Sequence, residues 1–410
     1  MTSIAARPLL AGRTLALLGI VLIGLNLRTA VAVISPIVRF ISEDIPLTSI
    51  GIGLLGMLAP LSFALSGLVA PAVARRIGLE ATMLVACAAM VIGPVVRALA
   101  PNYAVLVGGS VLLLGGMGFA NIMLPPIIKR YFPDRIGALT ATYATLMAIG
   151  ASVPPLIAAP LAESIGWRFT LGSWAILALA AAVPWFVLWL RRRRRDRAAA
   201  LDGELGRPAQ LAVGRMWRSP VAWAITVAFM IPSFNVYAMF AWLPEIATDL
   251  TGATPAQAGA MVALFTLMGL PFALIVPVIA PRLKNVGWLI ALGVTLFVTG
   301  YLGLLLAPAA AIWLWVILIG GGPIVFPLTL TLLNLRTRSH QTAVALSGFV
   351  QGIGYGGAAL GPLVVGFLHD VSGSWTVPLV FLVVLAAVAL VPAFVLARPR
   401  MVDDDLEDRP

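Results

Sequence analysis

Twelve apolar runs, each long enough to cross a bilayer, fill most of this chain. They lie near residues 14–40, 48–74, 81–100, 103–128, 136–161, 168–190, 219–247, 254–281, 286–307, 310–334, 341–368 and 374–397; these are spans 1 to 12 below. A helix needs about 20 apolar residues to traverse the roughly 30 Å hydrocarbon core. With no water there to bond stray backbone groups, only helices and closed barrels are viable. The alternating ten-residue segments of a barrel are absent, so the expected fold class is an all-α polytopic membrane protein. At 61% hydrophobic and 10% charged residues over 410 positions, the chain resembles no soluble domain of its size.

The net charge of +11 would suit nucleic acid, but its distribution assigns it to topology instead. With the N-terminus in the cytoplasm, one side holds Arg13, Arg75, Arg76, Lys129, Arg130, Arg135, Arg282, Lys284, Arg336, Arg338, Arg398 and Arg400. The other holds Glu43, Asp44, Glu163, Glu245, Asp249 and Asp370. Every short loop then obeys the positive-inside rule, and the opposite orientation would violate it. The expected partner is the lipid bilayer, with no nucleic acid and both termini cytoplasmic. Span 1 is too long for the h-region of a cleaved signal peptide. The single cysteine, Cys87, lies in an apolar run, so one chain can build neither a disulfide framework nor a cysteine metal site. No cofactor is expected.

One connection is long. Residues 191–218 open with five arginines and turn small and polar, which reads as a solvent-exposed basic linker. It separates an N-terminal six-helix half (1–190) from a C-terminal one (219–397); an acidic cytoplasmic tail follows (398–410), expected to be disordered from Asp403 to Asp408. The halves repeat. A shift of 208 positions lays Pro36 on Pro244, Arg76 on Lys284, Arg130 on Arg338, Pro154 on Pro362, Trp167 on Trp375 and Pro184 on Pro392. Two parallel halves related by an axis along the membrane normal is the organisation of major-facilitator transporters, whose substrate site lies near the midplane between them.

Arg28 stands near the middle of span 1, about 14 residues from one end, beyond the reach of snorkelling. A charge there costs about 2.5–3.5 kcal/mol on insertion scales, so it must face a cavity or a partner. The repeat sets Asn235 and Tyr237 at its depth on span 7, with Asn26 close by as a polar neighbour or an interhelical hydrogen bonder. Asn121 of span 4, Tyr143 of span 5, its repeat mate Gln351 on span 11, and Tyr355 one turn later complete the candidate polar wall. The cavity is expected between spans 1, 4, 5, 7, 10 and 11. Arg97, near the outer end of span 3, reads first as a snorkelling residue and second as part of an electropositive vestibule. Trp242 reads first as an interface anchor, second as a gate. Pro125–Pro126 in span 4 and the glycine triplet with Pro323 in span 10 suggest either bending or close packing. No carboxylate lies in the interior of any span, and His340 and His369 read as loop residues. A cation without a protein partner suggests that a small-molecule substrate supplies the anion. Glu245 reads as a solvated charge or, alternatively, as the carrier of a coupling proton. There is no Walker loop or HExxH motif, and no enzyme site.

Over nearly its whole length the chain resembles the cyanate permease family of the major facilitator superfamily, which includes 2-nitroimidazole transporters. The matching pieces are GLNLRTAVAVISPI (24–37), ARRIGLE (74–80), VVRALAP (95–101), ANIMLPPIIKRYFPDRIG (120–137), GWRFTLGSWA (166–175) and AWLPEI (241–246). FPLTLTLLNLRTRS and LSGFVQGIGYGGAALGPLVVGFLHDVSGSW lie between 326 and 375. The loop with Arg75, Arg76 and Gly78 departs from the superfamily pattern, which has an Asp before the basic pair. The resemblance implies a secondary transporter of a small solute in a bacterial-type inner membrane, usually monomeric. Cyanate and nitroimidazoles both suit an arginine site. Drug efflux in the same fold, or a non-transporting receptor or membrane enzyme, are the alternatives.

Overall fold

The computed structural model describes residues 13–31, 33–132, 134–199, 216–338 and 340–407. It is all helix, without strands among those residues. Among the described residues, eleven helices are long and apolar enough to cross a membrane, and a shorter apolar helix, Thr14–Asn26, precedes them. Short polar caps set the helix starts: Thr48, Asn102 and Ser219 each accept a backbone N–H of the first turn through the side chain, and Thr254 with Gln257 forms a reciprocal capping box. Gly78 closes Ser49–Ile77 at φ +88°, a conformation costly for other residues.

Several expectations are corrected here. Span 1 is not one helix: after Asn26 come turns, then Ser35–Ile37 and Val38–Asp44. The five arginines continue the helix Trp167–Ala199 instead of beginning an irregular stretch; residues 200–215 of the expected linker lie outside the described residues. The acidic end is not loose but forms a helix, Val402–Glu407, against the basic face. Its Asp403 accepts from the Arg338 N–H and the Thr342 hydroxyl, and Asp405 accepts from the Ser219 hydroxyl. His369 lies in the helix Leu360–Ser372, stacked 4.0 Å from Trp375, and His340 begins the helix His340–Ala358.

Span 7, Pro220–Thr251, is the axis of the bundle. Of its apolar stretch 83% is buried, against 22–67% in the other crossing helices. The lipid-facing spans instead carry outward leucines and phenylalanines such as Leu68 and Phe394, exposed at 74% and 80%, as the hydrocarbon solvent permits.

The interface between spans 2 and 11 opens like a wedge. At the end nearest the acidic loops, a Cβ on Gly53 would lie 2.9 Å from the Pro362 carbonyl oxygen, and one on Gly56 would lie 2.8 Å from Pro362 Cβ. Midway, the Phe63 and Tyr355 rings meet at 6.3 Å. Toward the basic face, Gly67 and Gly348 have nothing within 4 Å of where a Cβ would sit. Gly53, Gly56, Phe63 and Gly67 follow one helical stripe. Spans 2 and 11 are therefore tight against each other at the acidic face and apart at the basic one.

Candidate functional site

The break in span 1 presents Arg28. Local bonds hold the break: Leu27 N–H donates to the Ile23 carbonyl, Thr29 N–H and hydroxyl both donate to the Asn26 carbonyl, and Val31 N–H donates to the Arg28 carbonyl. Thr29 thus replaces part of the missing helix ladder, as hydrocarbon surroundings require. The sequence carried the signal in a β-branched stretch, 29–34, leading into Pro36, which disfavours helix at the residue before it.

Arg28 Nη1 donates to the Tyr237 hydroxyl at 3.0 Å, and its Cζ sits 4.8 Å from the Phe63 ring centroid. Arg28 and Tyr237 face a cavity of about 250 Å³, which Tyr355 also lines. The cavity is walled by spans 1, 5, 7, 8, 10 and 11. Span 8, through Phe265, Thr266, Gly269, Leu270 and Ala273, takes the place expected for span 4. The rings of Phe240, Phe265, Phe326, Tyr237 and Tyr355 give the lining an aromatic character, and no carboxylate stands among the lining residues. Pro323 also lines it, in a 3₁₀ turn, Gly322–Ile324, that interrupts span 10.

Arg28, Tyr237 and Tyr355 are brought together; the other polar candidates are not. Asn26 and Asn235 donate to carbonyls one turn back in their own helices, Leu22 and Ile231, at 3.1 and 2.8 Å. Gln351 donates to Ser347 at 2.7 Å. Tyr143 packs against the Gly24 turn, and Asn121 is half-buried; neither lines the cavity. Pro125 and Pro126 are exposed within the unbroken helix Tyr103–Tyr131. Trp242 is no interface anchor: it is fully buried and its indole N–H donates to the Pro362 carbonyl at 2.7 Å, tying span 7 to span 11. In the 74–80 loop, Arg76 is exposed and the Arg75 side chain lies outside the described residues. Glu80, the last residue of that stretch, carries a contact that the sequence does not announce. It is 1% exposed, accepts from the Tyr131 hydroxyl at 2.8 Å and pairs with Arg130 at 3.2 Å.

Arg97 also departs from expectation. It does not snorkel but is buried at 2% exposure beside a small pocket of about 30 Å³. Gly109 makes room for its stem, since a Cβ there would lie 2.9 Å from Arg97 Cγ. Its Nε and Nη2 have no hydrogen-bond partner. The carbonyl end of its own helix offsets about 0.3–1 kcal/mol, little against the several kcal/mol that burying an ion costs.

Beyond this pocket lies a vestibule of about 760 Å³ on the acidic face, walled by Arg39, Glu43, Glu245 and Asp249 among others. The repeat is visible around it. Trp167 donates its indole N–H to Asp44 at 3.0 Å, and Trp375 donates its own to Asp249 at 2.9 Å. Arg168 also pairs with Asp44 and, with Trp167, holds that carboxyl below the usual range. On the basic face, Arg13 pairs with Asp134 at 2.5 Å and lowers its pKa.

The chain is 34% identical over 370 residues to the Bacillus subtilis uncharacterized transporter YycB, covering 89% of each chain. It is 33% identical over 376 residues to the Escherichia coli 2-nitroimidazole transporter, covering 91% of this chain and 93% of that one. Identity to the E. coli cyanate transport protein CynX is 28% over 368 residues, covering 88% and 91%. In fold it matches the inward-facing, unoccupied crystal structure of a bacterial homologue of the human lysosomal transporter Spinster, with TM-score 0.77 at 16% identity over 97% of this chain and 99% of that one. The model of the Major Facilitator Superfamily matches residues 17–356. With that match and full-length relatives above 30% identity, the chain is a multi-pass membrane transporter, not an enzyme, and belongs to the major facilitator superfamily.

Proposed function

We propose that this protein carries a compact planar solute bearing an anionic or nitro group across the membrane by alternating access, with Arg28 holding that group. The observation that carries the reading is Arg28 in an aromatic cavity that offers it a hydroxyl and a ring face but no carboxylate. A solute with a negative or strongly polar end supplies the counter-charge the guanidinium lacks, through further charge-assisted bonds. The volume, about 250 Å³, falls below the roughly 300–1,000 Å³ typical of drug-sized ligands, which favours a small solute over broad drug efflux. The ring-rich wall favours a flat heterocycle with a nitro group over a bare linear anion such as cyanate. The relatives named for 2-nitroimidazole and cyanate support the same class.

The two halves, 1–190 and 219–397, would rock about this site, joined by residues 191–218, with the basic face and both termini in the cytoplasm of a bacterial inner membrane. Glu245, on the vestibule wall beside Asp249, is the group we assign to a coupling proton. Counterflow in proteoliposomes tests the reading. A labelled nitroimidazole should exchange against the unlabelled compound and be outcompeted by small nitro-heterocycles, not by bulky neutral drugs. Equal competition by bulky drugs would overturn it in favour of efflux, and binding without exchange would favour a receptor.

A further inference from the structure

We infer that the small pocket at Arg97 is a binding site for a compact inorganic anion of the halide class, separate from the Arg28 cavity. Three observations meet there. Arg97 is 2% exposed, with Nε and Nη2 unpartnered. The Ser35 hydroxyl, also buried and without a partner, lines the same pocket. No carboxylate stands among its lining residues, and the hydroxyl of Ser110, the other polar side chain there, is already spent on the Leu106 carbonyl at 2.8 Å. A fixed cation and a free hydroxyl donor around an otherwise apolar pocket is a complement to one negative charge.

Size sets the ligand. About 30 Å³ exceeds the 10–15 Å³ that a single water needs, yet is far below the 250 Å³ of the central cavity. A water in the pocket would leave the charge without a counter-ion. A chloride or bromide supplies one. The place is also informative. Ser35, Ile52 and Ala241 line both this pocket and the vestibule, while Phe240 lines both it and the central cavity. The pocket therefore sits in the closed layer between them, with walls from spans 1 to 4 on one side and from span 7 on the other.

Thermal unfolding of the purified full-length protein tests this. Sodium gluconate is exchanged for chloride or bromide at constant ionic strength. The expected result is a saturable rise in Tm with either halide, retained in Arg28→Gln and lost in Arg97→Gln. No saturable halide effect in the wild type, or the same effect in Arg97→Gln, overturns the proposal. Because Arg97→Gln can fail to fold, equilibrium dialysis of radiolabelled chloride is run on the wild type, Arg28→Gln and Ser35→Ala. One saturable chloride per chain in the first two, bound several-fold more weakly in Ser35→Ala, supports the site. No bound chloride in the wild type, or unchanged affinity in Ser35→Ala, overturns it. Loss of solute binding in Arg28→Gln with chloride binding intact separates the two sites, so failure of either reading leaves the other standing.

Discussion

Replacing Gly53 with alanine should unlock the acidic face. The added methyl would lie 2.9 Å from the Pro362 carbonyl oxygen and 3.1 Å from Leu363 Cα. Both are backbone atoms, so neither can swing aside, and span 2 must move away from span 11. Overpacking of this kind costs about 1–3 kcal/mol. The cost falls only on the state in which these helix ends touch, so the equilibrium shifts toward the state open at that face by about 5- to 150-fold. Gly67→Ala is the matched control, on the same stripe with nothing within 4 Å. A single cysteine at Ala151, in the central cavity wall, reports access, and the native Cys87 is fully buried. In intact cells, a membrane-impermeant thiol reagent added outside should label Ala151→Cys slowly, and many-fold faster once Gly53→Ala is added. Equal labelling of the Gly53→Ala and Gly67→Ala variants would refute the wedge argument.

Three further outcomes follow from single contacts. Tyr237→Phe removes the hydroxyl that accepts from Arg28, so the unliganded protein should lose about 1.5–3 kcal/mol, while solute raises its Tm more than it raises that of the wild type. Trp242→Phe deletes the 2.7 Å bond to Pro362 and should cost about 0.5–1.5 kcal/mol for that bond alone, read by thermal unfolding in detergent. Asp44 has its pKa lowered by Arg168 and Trp167. The stabilisation from that pairing is complete above the unfolded carboxyl value of about 3.9 and is lost as pH falls through the folded one. Asp44→Asn should therefore lower Tm by a constant amount between pH 8 and 5, with the gap to wild type closing only below about pH 4.

The spans were legible in the sequence because hydrocarbon leaves so few options for a backbone, and Arg28 was legible because a charge at that depth demands a reason. The Arg28–Tyr237 pairing was within reach too, since the 208-residue repeat puts positions 28 and 236 at one depth. What the sequence did not reveal is rotation about each helix axis. Asn26 and Asn235 share the right depth but turn to their own backbones. Arg97 was misjudged for the same reason: distance along the helix put it near the headgroups, whereas its packing against Gly109 turned it inward. The ring wall contributed by Phe240 and Phe265 was invisible, because aromatic residues in an apolar run look alike whether they face lipid, core or cavity. The docked tail was hidden by its composition, since an acidic segment looks solvated until the basic face beneath it is placed.

The claim at the centre of this account is that Arg28 supplies the charge that holds the solute. Isothermal titration of 2-nitroimidazole into purified wild type, Arg28→Lys and Arg28→Gln tests it most directly. Loss of charged hydrogen bonds worth about 1.5–3 kcal/mol predicts a Kd for Arg28→Gln weaker by about 10- to 150-fold. Arg28→Lys should fall between, since an ammonium keeps the charge but not the planar fork. A well-folded Arg28→Gln protein that binds with wild-type affinity would contradict it and make Arg28 a structural residue of the span 1 break.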